Sequence, residues 1–311
     1  MSLRNIRAAY ARLDPAHVFD GLFIPTRGRR NRGQLLVPQR PFGDVLIGFQ
    51  GFEQLGSNDQ SILLALTAQL GIEGLYIDAE PEGEISRQLR LDLHFTEDNG
   101  LRLASRETSL RSLLKDAGYK EPSSGKSLND AKECLNRLAN AQLREQNLAT
   151  GWDQRYNLIS VKFGLGIGDK IHVAANPRLS QAVFKGQHVR ISLIERGALE
   201  SEVAKILHCW LCSNVRLGQA LGNGNGAKLD TLALHVWGAA KWEEASRSSR
   251  SKWRSQMREA FDEIRDATKQ LGGGGYGWAI DRTPTDLVMV SRPKALPIAE
   301  FFEILPSEMG D

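Results

Sequence analysis

The sequence predicts a mixed α+β chain in which a helix pair followed by a β-hairpin occurs twice in tandem. Three observations carry this expectation. Leucine-bearing helix pairs occupy residues 108–138 and 229–270, and each leads into strand-like segments bounded by glycine turns. The chain of 311 residues has room for about two domains. Residues 246–270, SRSSRSKWRSQMREAFDEIRDATKQ, separate on a helix into an apolar stripe and a basic one. A helix pair followed by a hairpin is a winged-helix layout. The expected fold is therefore two winged-helix domains: residues 1–175, which include a basic arm, and residues 176–311.

The basic helix is the most informative element. Trp253, Met257, Ala260, Phe261, Ile264 and Leu271 recur at the spacing of one buried helix face. Arg247, Arg250, Arg254 and Arg258 recur on another face, with Lys252 beside them, and no carboxylate occurs between Ser246 and Arg258. A helix N-terminus carries partial positive charge and favours Asp or Glu, so this half-helix calls for a polyanionic partner. A recognition helix, whose first turns enter the major groove, supplies the reason. Ser246, Ser248, Ser249 and Ser251 are placed to cap the helix or to bond phosphate oxygens. The plain alternative is a solvated charged face.

The other elements follow from the N-terminus. Residues 1–12 suggest a short helix ended by Asp14-Pro15. Arg27, Arg29, Arg30 and Arg32 alternate with glycine and asparagine in a basic arm suited to following a phosphate backbone or entering a minor groove; a solvated loop is the alternative. Residues 45–49 read as a strand. Ser57 or Asn58 caps an amphipathic helix over 57–70 with Ile62, Leu63, Leu66 and Leu70 as its core stripe. Residues 88–95 alternate Leu89, Leu91, Leu93 and Phe95 with Arg90, Asp92 and His94, as a half-buried strand does. Across the turn at 98–100 they would pair with 101–103.

Thr108 or Ser109 caps the next helix, which carries Leu110, Leu113 and Leu114 and stops at Gly118. Its partner, over 125–140, turns Leu128, Ala131, Leu135 and Leu138 inward. Lys126, Ser127, Asn129, Lys132, Asn136 and Arg137 face outward, and Arg, Lys and Asn are the usual readers of base edges. Residues 141–147 and 156–163 would form the first hairpin. In the second half come a short helix to Val183, a strand over 188–193, a core helix over 199–213 and a short helix over 229–237. The basic helix follows. Residues 278–280 and 287–290, beyond the glycines of 272–277, would form the second hairpin.

Composition bounds the function. Hydrophobic residues at 41% and charged residues at 25% are ordinary for a globular protein. A net charge of +3 excludes a histone-like polycation and makes the basicity local, which points to a sited interaction. Three cysteines without a framework fit a reducing bacterial cytoplasm, and no secretory pattern follows Arg4 and Arg7. The longest apolar helical segment, 62–70, is far short of a membrane span, so no membrane partner is expected.

Cys209-x-x-Cys212 follows His208 but lacks a second pair and lies inside a helical pattern, so the cysteines read as core and no metal is expected. The glycines of 164–168 lead to Lys170 with no Ser or Thr after it, and a strand pattern follows instead of a phosphate-holding helix. The six histidines are scattered, and no carboxylate pair or Ser–His constellation emerges. No catalytic residue and no cofactor are therefore expected.

Several stretches carry a family resemblance in order along nearly the whole chain. They are Asp14-Pro-Ala-His17 with Gly21-Leu-Phe23, the arginine arm, and Arg87-Gln-Leu-Arg-Leu91. Gly186-Gln-His-Val-Arg-Ile-Ser192 continues through Ala198-Leu-Glu-Ser201 to Leu207-His208. Leu229-Asp-Thr-Leu232 with Val236-Trp237, Arg258-Glu-Ala260 and Arg292-Pro-Lys294 complete the set. Together they resemble replication protein C, the iteron-binding replication initiators of IncQ-type plasmids.

The resemblance implies a non-catalytic initiator with two winged-helix domains, both on double-stranded DNA. It implies binding to direct repeats at the plasmid origin and opening of an adjacent AT-rich segment, where a plasmid-encoded replicative helicase and a primase then act. Self-association is left open. Arg254 and Arg258 match the family's basic recognition-helix pattern, whereas Ser251 and Trp253 stand where relatives look more basic, which implies a different repeat sequence. Residues 295–311 lie beyond the resemblance. The competing readings are a winged-helix transcriptional regulator, bound as a dimer to a palindromic operator, and a nuclease or metal-dependent hydrolase.

Overall fold

The structure, a computed structural model, describes residues 9–26, 32–93, 101–164, 170–184, 186–271 and 277–294. The first half contains β1 (Tyr10–Leu13), β2 (Leu35–Phe42), β3 (Val45–Gly51), α1 (Ser57–Glu73), β4 (Leu75–Ile77) and α2 (Glu84–Asp92). It continues with β5 (Leu103–Ser109), α3 (Leu110–Asp116), α4 (Gly125–Ala139), β6 (Gln142–Asn147), β7 (Trp152–Asn157), β8 (Ile159–Phe163) and β9 (Lys170–Ala175). The second half contains α5 (Pro177–Phe184), β10 (Val189–Ser192), α6 (Leu193–Ala198), α7 (Glu202–Asn214), β11 (Ala227–Lys228) and α8 (Leu229–Trp237). α9 (Ala239–Glu244), α10 (Arg247–Lys269), β12 (Ala279–Arg282) and β13 (Leu287–Ser291) complete it.

Helix α1 lies at the centre. From Ser57 to Leu70 only Asn58 is exposed, so the expected amphipathic stripe is instead a helix enclosed on every side. Its cap also differs from the expected Ser57 or Asn58. The N-cap is Gly56, whose N–H donates to the Asp59 carboxylate at 2.6 Å. Glycine is required there because a Cβ would collide with Thr26 Oγ1. Polar groups on so buried a helix need partners, and they have them. Gln69 donates to Asp116 at 2.6 Å and accepts from Thr108 at 2.9 Å. Arg196 of α6, itself buried, donates to Ser61 Oγ, to the Ser57 carbonyl and to the Lys205 carbonyl. That guanidinium ties α1 to the second half.

With β4, α2, β6 and β7 set aside in the first half and α9 in the second, the two halves share an order of elements. In the first, α1, β5, α3, α4, β8 and β9 give helix, strand, helix, helix and hairpin, and the strands lie in the order β5-β9-β8 with β4 outside β5. In the second, α7, β11, α8, α10, β12 and β13 give the same sequence and the order β11-β13-β12. The first half departs from the expected hairpin. Residues 156–163 are two strands: Tyr156 of β7 pairs with Leu143, whereas Ile159 of β8 pairs with Ala175. The chain crosses at Leu158 from one sheet to another. Strands β6 and β7 therefore belong to the sheet β2-β3-β6-β7, and β8–β9 is the hairpin beside β5.

Two further expectations fail for local reasons. Residues 88–92 are helical and not a strand, because Leu89 on α2 and Leu93 at its C-cap are the ones buried against Ile77, Leu103 and Ala174, while residues 94 and 95 lie outside the described residues. Leu91 is 62% exposed, and Arg90 turns in to donate to the Leu101 carbonyl at 3.0 Å. Nor do residues 101–103 pair with that segment; Leu103 opens β5, which lies between β4 and β9. Residues 10–12 of the helix expected over 1–12 belong instead to β1, with Ala11 and Leu13 buried in alternation, antiparallel to β10 from Tyr10↔Ser192 to Leu13↔Val189, and residues 1–8 lie outside the described residues. One continuous apolar cluster runs from Ala11 to Val290 and includes residues of both halves.

Candidate nucleic-acid interface

Helix α10 forms because its apolar residues find a groove. Met257, Ala260, Phe261 and Ile264 are buried, and Trp253 stacks on Trp237 with ring centroids 5.0 Å apart. Ser246 caps it, its Oγ accepting the Ser249 N–H at 3.2 Å. The arginine stripe lies off this face, but its members are held in different ways. Arg247 and Lys252 are exposed. Arg250 donates to the carbonyls of Trp242 and Glu243 at 3.0 and 2.7 Å, closing the end of α9. Arg254 forms a two-toothed pair with Asp230 on the first turn of α8. Arg258 does the same with Asp286 in the turn between β12 and β13. These hydrogen bonds hold both carboxyls below their ordinary range, Asp230 through Arg254 and Asp286 through Arg258. Neither aspartate was legible as a site residue, since nothing in local spacing links positions 230 or 286 to the basic helix.

Helix α4 is the counterpart of α10 in the first half. Ser124 caps it, accepting the Ser127 N–H at 3.1 Å. Ala131, Cys134, Leu135 and Leu138 are buried, while Lys126, Asn129, Lys132 and Asn136 are exposed and Ser127 is half-buried. Lys132 also lines a cleft of about 240 Å³ with Arg111 of α3 and Lys170 and Phe163 of the β8–β9 hairpin. Arg137 does not face outward as its position suggested. Its Nε donates at 2.9 Å to Asp59, which is fully buried, and its side chain is only 12% exposed. Four residues past Glu133, it lies on the flank of α4 that meets the start of α1.

The arm is anchored at both ends. The Thr26 N–H donates to Glu202 at the start of α7 at 2.9 Å, and Arg32 reaches Asp59 at 2.9 Å. Arg32 is thus an anchor. Arg27, Arg29 and Arg30 lie outside the described residues, as do the glycines at 272–275 and Tyr276 between α10 and β12, most of the glycine loop before Lys170, and residues 295–311.

Cys209 and Cys212 are buried in α7. Among the described residues, Glu195, His208 and Cys212 are the His, Cys, Asp or Glu side chains whose donor atoms converge, all within 4.8 Å. Three enclosed donors fall short of a four-ligand structural zinc site, and the buried Arg196 guanidinium lies close enough to act on both cysteines. His208 Nε2 lies 2.7 Å from Glu195 and 3.5 Å from Cys212, a hydrogen-bonded core cluster in which His208 Nδ1 is buried without a hydrogen-bond partner among the described residues. No helix among the described residues is long and apolar enough to cross a membrane.

By family the chain is a replication initiator. It belongs to the replication protein C (RepC) family, whose model matches residues 5–273. No curated protein matches it. Its mixed α+β fold is similar to the crystal structure of selenomethionine derivatives of domains 2 and 3 of RctB, with a TM-score of 0.50 and 10% identity, over 91% of this chain and 99% of that one. A second crystal structure of RctB domains 2–3 gives a TM-score of 0.45 and 10% identity, over 86% of this chain and 93% of that one.

Proposed function

We propose that this chain is an iteron-binding plasmid replication initiator that grips double-stranded DNA through two winged-helix units, divided near residue 175, without catalytic turnover. The observation that carries the reading is the repeated order of helix, strand, helix, helix and hairpin, with α4 and α10 in the same place in each repeat. Helix α10 enters one major groove with Arg247, Ser249, Lys252, Arg254 and Arg258 toward the DNA. Helix α4 enters the next with Lys126, Ser127, Asn129 and Lys132, about 34–36 Å away along the duplex. The arm arginines follow the backbone between or beside them. Because the two helices differ in sequence, the site is a direct repeat of about two turns and need not be palindromic. Filled repeats help to open an adjacent AT-rich block, where the plasmid's helicase and primase act.

The test is hydroxyl-radical footprinting of the full chain on the DNA that flanks its gene, with permanganate to detect unpaired thymines. Same-direction protected units of about two turns each, with thymine reactivity beside them, are expected. A single palindromic protected site would favour a dimeric regulator, and protection without sequence preference would overturn the reading.

A further inference from the structure

Arg254 and Arg258 are held by their aspartates along the same edge. Asp230 accepts from Arg254 Nε at 2.6 Å and from Nη2 at 2.7 Å. Asp286 accepts from Arg258 Nε at 3.1 Å and from Nη2 at 2.6 Å. Among the described residues Nη1 of neither arginine makes a hydrogen bond. A guanidinium has five N–H donors in a planar fork. A carboxylate on the Nε–Nη2 side leaves the end-on edge, formed by Nη1 and the second hydrogen of Nη2, outside the ion pair, on side chains that are 34% exposed at Arg254 and 42% at Arg258. An end-on fork of that kind meets guanine O6 and N7 in the major groove.

Asp230 suits the N-terminal turn of α8 and Asp286 the left-handed backbone of its turn (φ 56°), but neither place requires the carboxylate to hold an arginine. Their side chains are 47% and 39% exposed, and such surface ion pairs stabilise little. Two carboxylates beside a DNA-facing helix also repel phosphates, so they weaken general binding. They come from separate elements, α8 and the β12–β13 turn, yet reach the arginines with the same geometry. The arginines are four residues apart on α10, about 6 Å along its axis, or roughly two base steps at ~3.4 Å each.

We infer that Asp230 and Asp286 are positioning residues that aim the end-on edges of Arg254 and Arg258 at two guanines about two steps apart, raising base specificity while lowering affinity for DNA in general. This rests on the reading of α10 as a major-groove helix. With the Nε–Nη2 side occupied, each arginine loses its side-on grip on phosphate and the many rotamers in which it would clamp the backbone. What remains is the edge that discriminates guanine.

The experiment selects a preferred duplex from a randomised library with the full-length protein. Affinities are then measured for that duplex, its single base-pair substitutions and an unrelated duplex of equal length. Asp230→Asn and Asp286→Asn are each expected to lose about tenfold in discrimination at one G·C pair, a different pair for each. Arg254→Ala and Arg258→Ala should lose discrimination at those same pairs, and the Asn variants should bind the unrelated duplex at least as well as wild type. Asp→Ser variants replace any Asn variant that loses the wild-type circular dichroism. Unchanged discrimination in the Asp variants, or tightening by one factor on every duplex, overturns the inference and leaves α10 as the reader. Unchanged binding of the selected duplex by both arginine variants, or a library that yields no preferred duplex, removes the major-groove reading as well.

Discussion

Asp59, at the start of α1, and Arg137, near the end of α4, form a buried ion pair with Nε and Oδ1 2.9 Å apart. The same carboxylate accepts the Gly56 N–H and holds Arg32 at the end of the arm, so one side chain caps α1, fixes α4 and anchors the arm. Removing one partner of a buried pair leaves the other charge uncompensated and costs about 3–5 kcal/mol. Asp59→Ala should lower stability by that order in urea unfolding. Arg137→Ala leaves Asp59 paired with Arg32 and the Gly56 N–H, so it should lose less while keeping the base preference of the wild type. A base-specific loss of binding in a stably folded Arg137 variant would return Arg137 to the DNA surface.

The stripe on α10 divides by what each cation already touches. Arg247 and Lys252 are exposed and suit phosphate contact. Replacing either with Ala should weaken binding to every duplex alike and lower the slope of log affinity against log salt by about 0.9. Arg250 is committed to two carbonyls at the end of α9. Arg250→Ala should cost about 1 kcal/mol of stability and shift the salt slope by less than the other two. Equal slopes for all three variants would contradict this division.

What the sequence revealed and what it hid divide along range. Local signals held: Ser109 and Ser246, among the residues offered as caps, cap their helices, and α8 falls on 229–237. The apolar face of α10 was likewise readable, because Met257, Phe261 and Ile264 fix its phase. Long-range choices were not readable. The alternation of Leu89, Leu91 and Leu93 suits a strand, and only the packing of Leu89 and Leu93 against β5 and β9 residues selects a helix. The crossing at Leu158 depends on partners in two different sheets. At the site, periodicity found the arginines but not Asp230 and Asp286, and it turned Arg137 outward because its partner lies 78 residues away. Helix phase can be read from one segment, whereas an ion pair needs two.

The cysteines give a prediction about what does not bind. Cys209 and Cys212 are fully enclosed, and burial pushes the Cys209 thiol up to about 11, away from the reactive thiolate. Replacing both with Ala should leave DNA affinity and footprint unchanged and reduce stability by about 1–3 kcal/mol through lost packing. Stoichiometric zinc in protein purified without added metal, absent from the double variant, would overturn the packing role.

His208 links stability to pH, with a sign set by its neighbours. Burial by itself would depress its pKa, but Cys212 and the Glu195 carboxylate more than reverse this, and the group is raised from its ordinary 6.5 to about 9. A folded pKa above the unfolded one means that the folded state holds the proton more tightly. The contribution is therefore full below about pH 6.5 and fades as pH rises through about 9. Substituting both partners, His208→Gln with Glu195→Gln, removes the titration while keeping polar groups in the cluster and avoiding an unpaired buried charge. Urea midpoints of wild type and double variant should differ most at pH 6 and converge toward pH 9.5, with the movement in the wild type. A constant difference across that range would mean that His208 carries no excess proton in the folded state, and the ion pair between α6 and α7 would have to be redrawn as a neutral hydrogen bond.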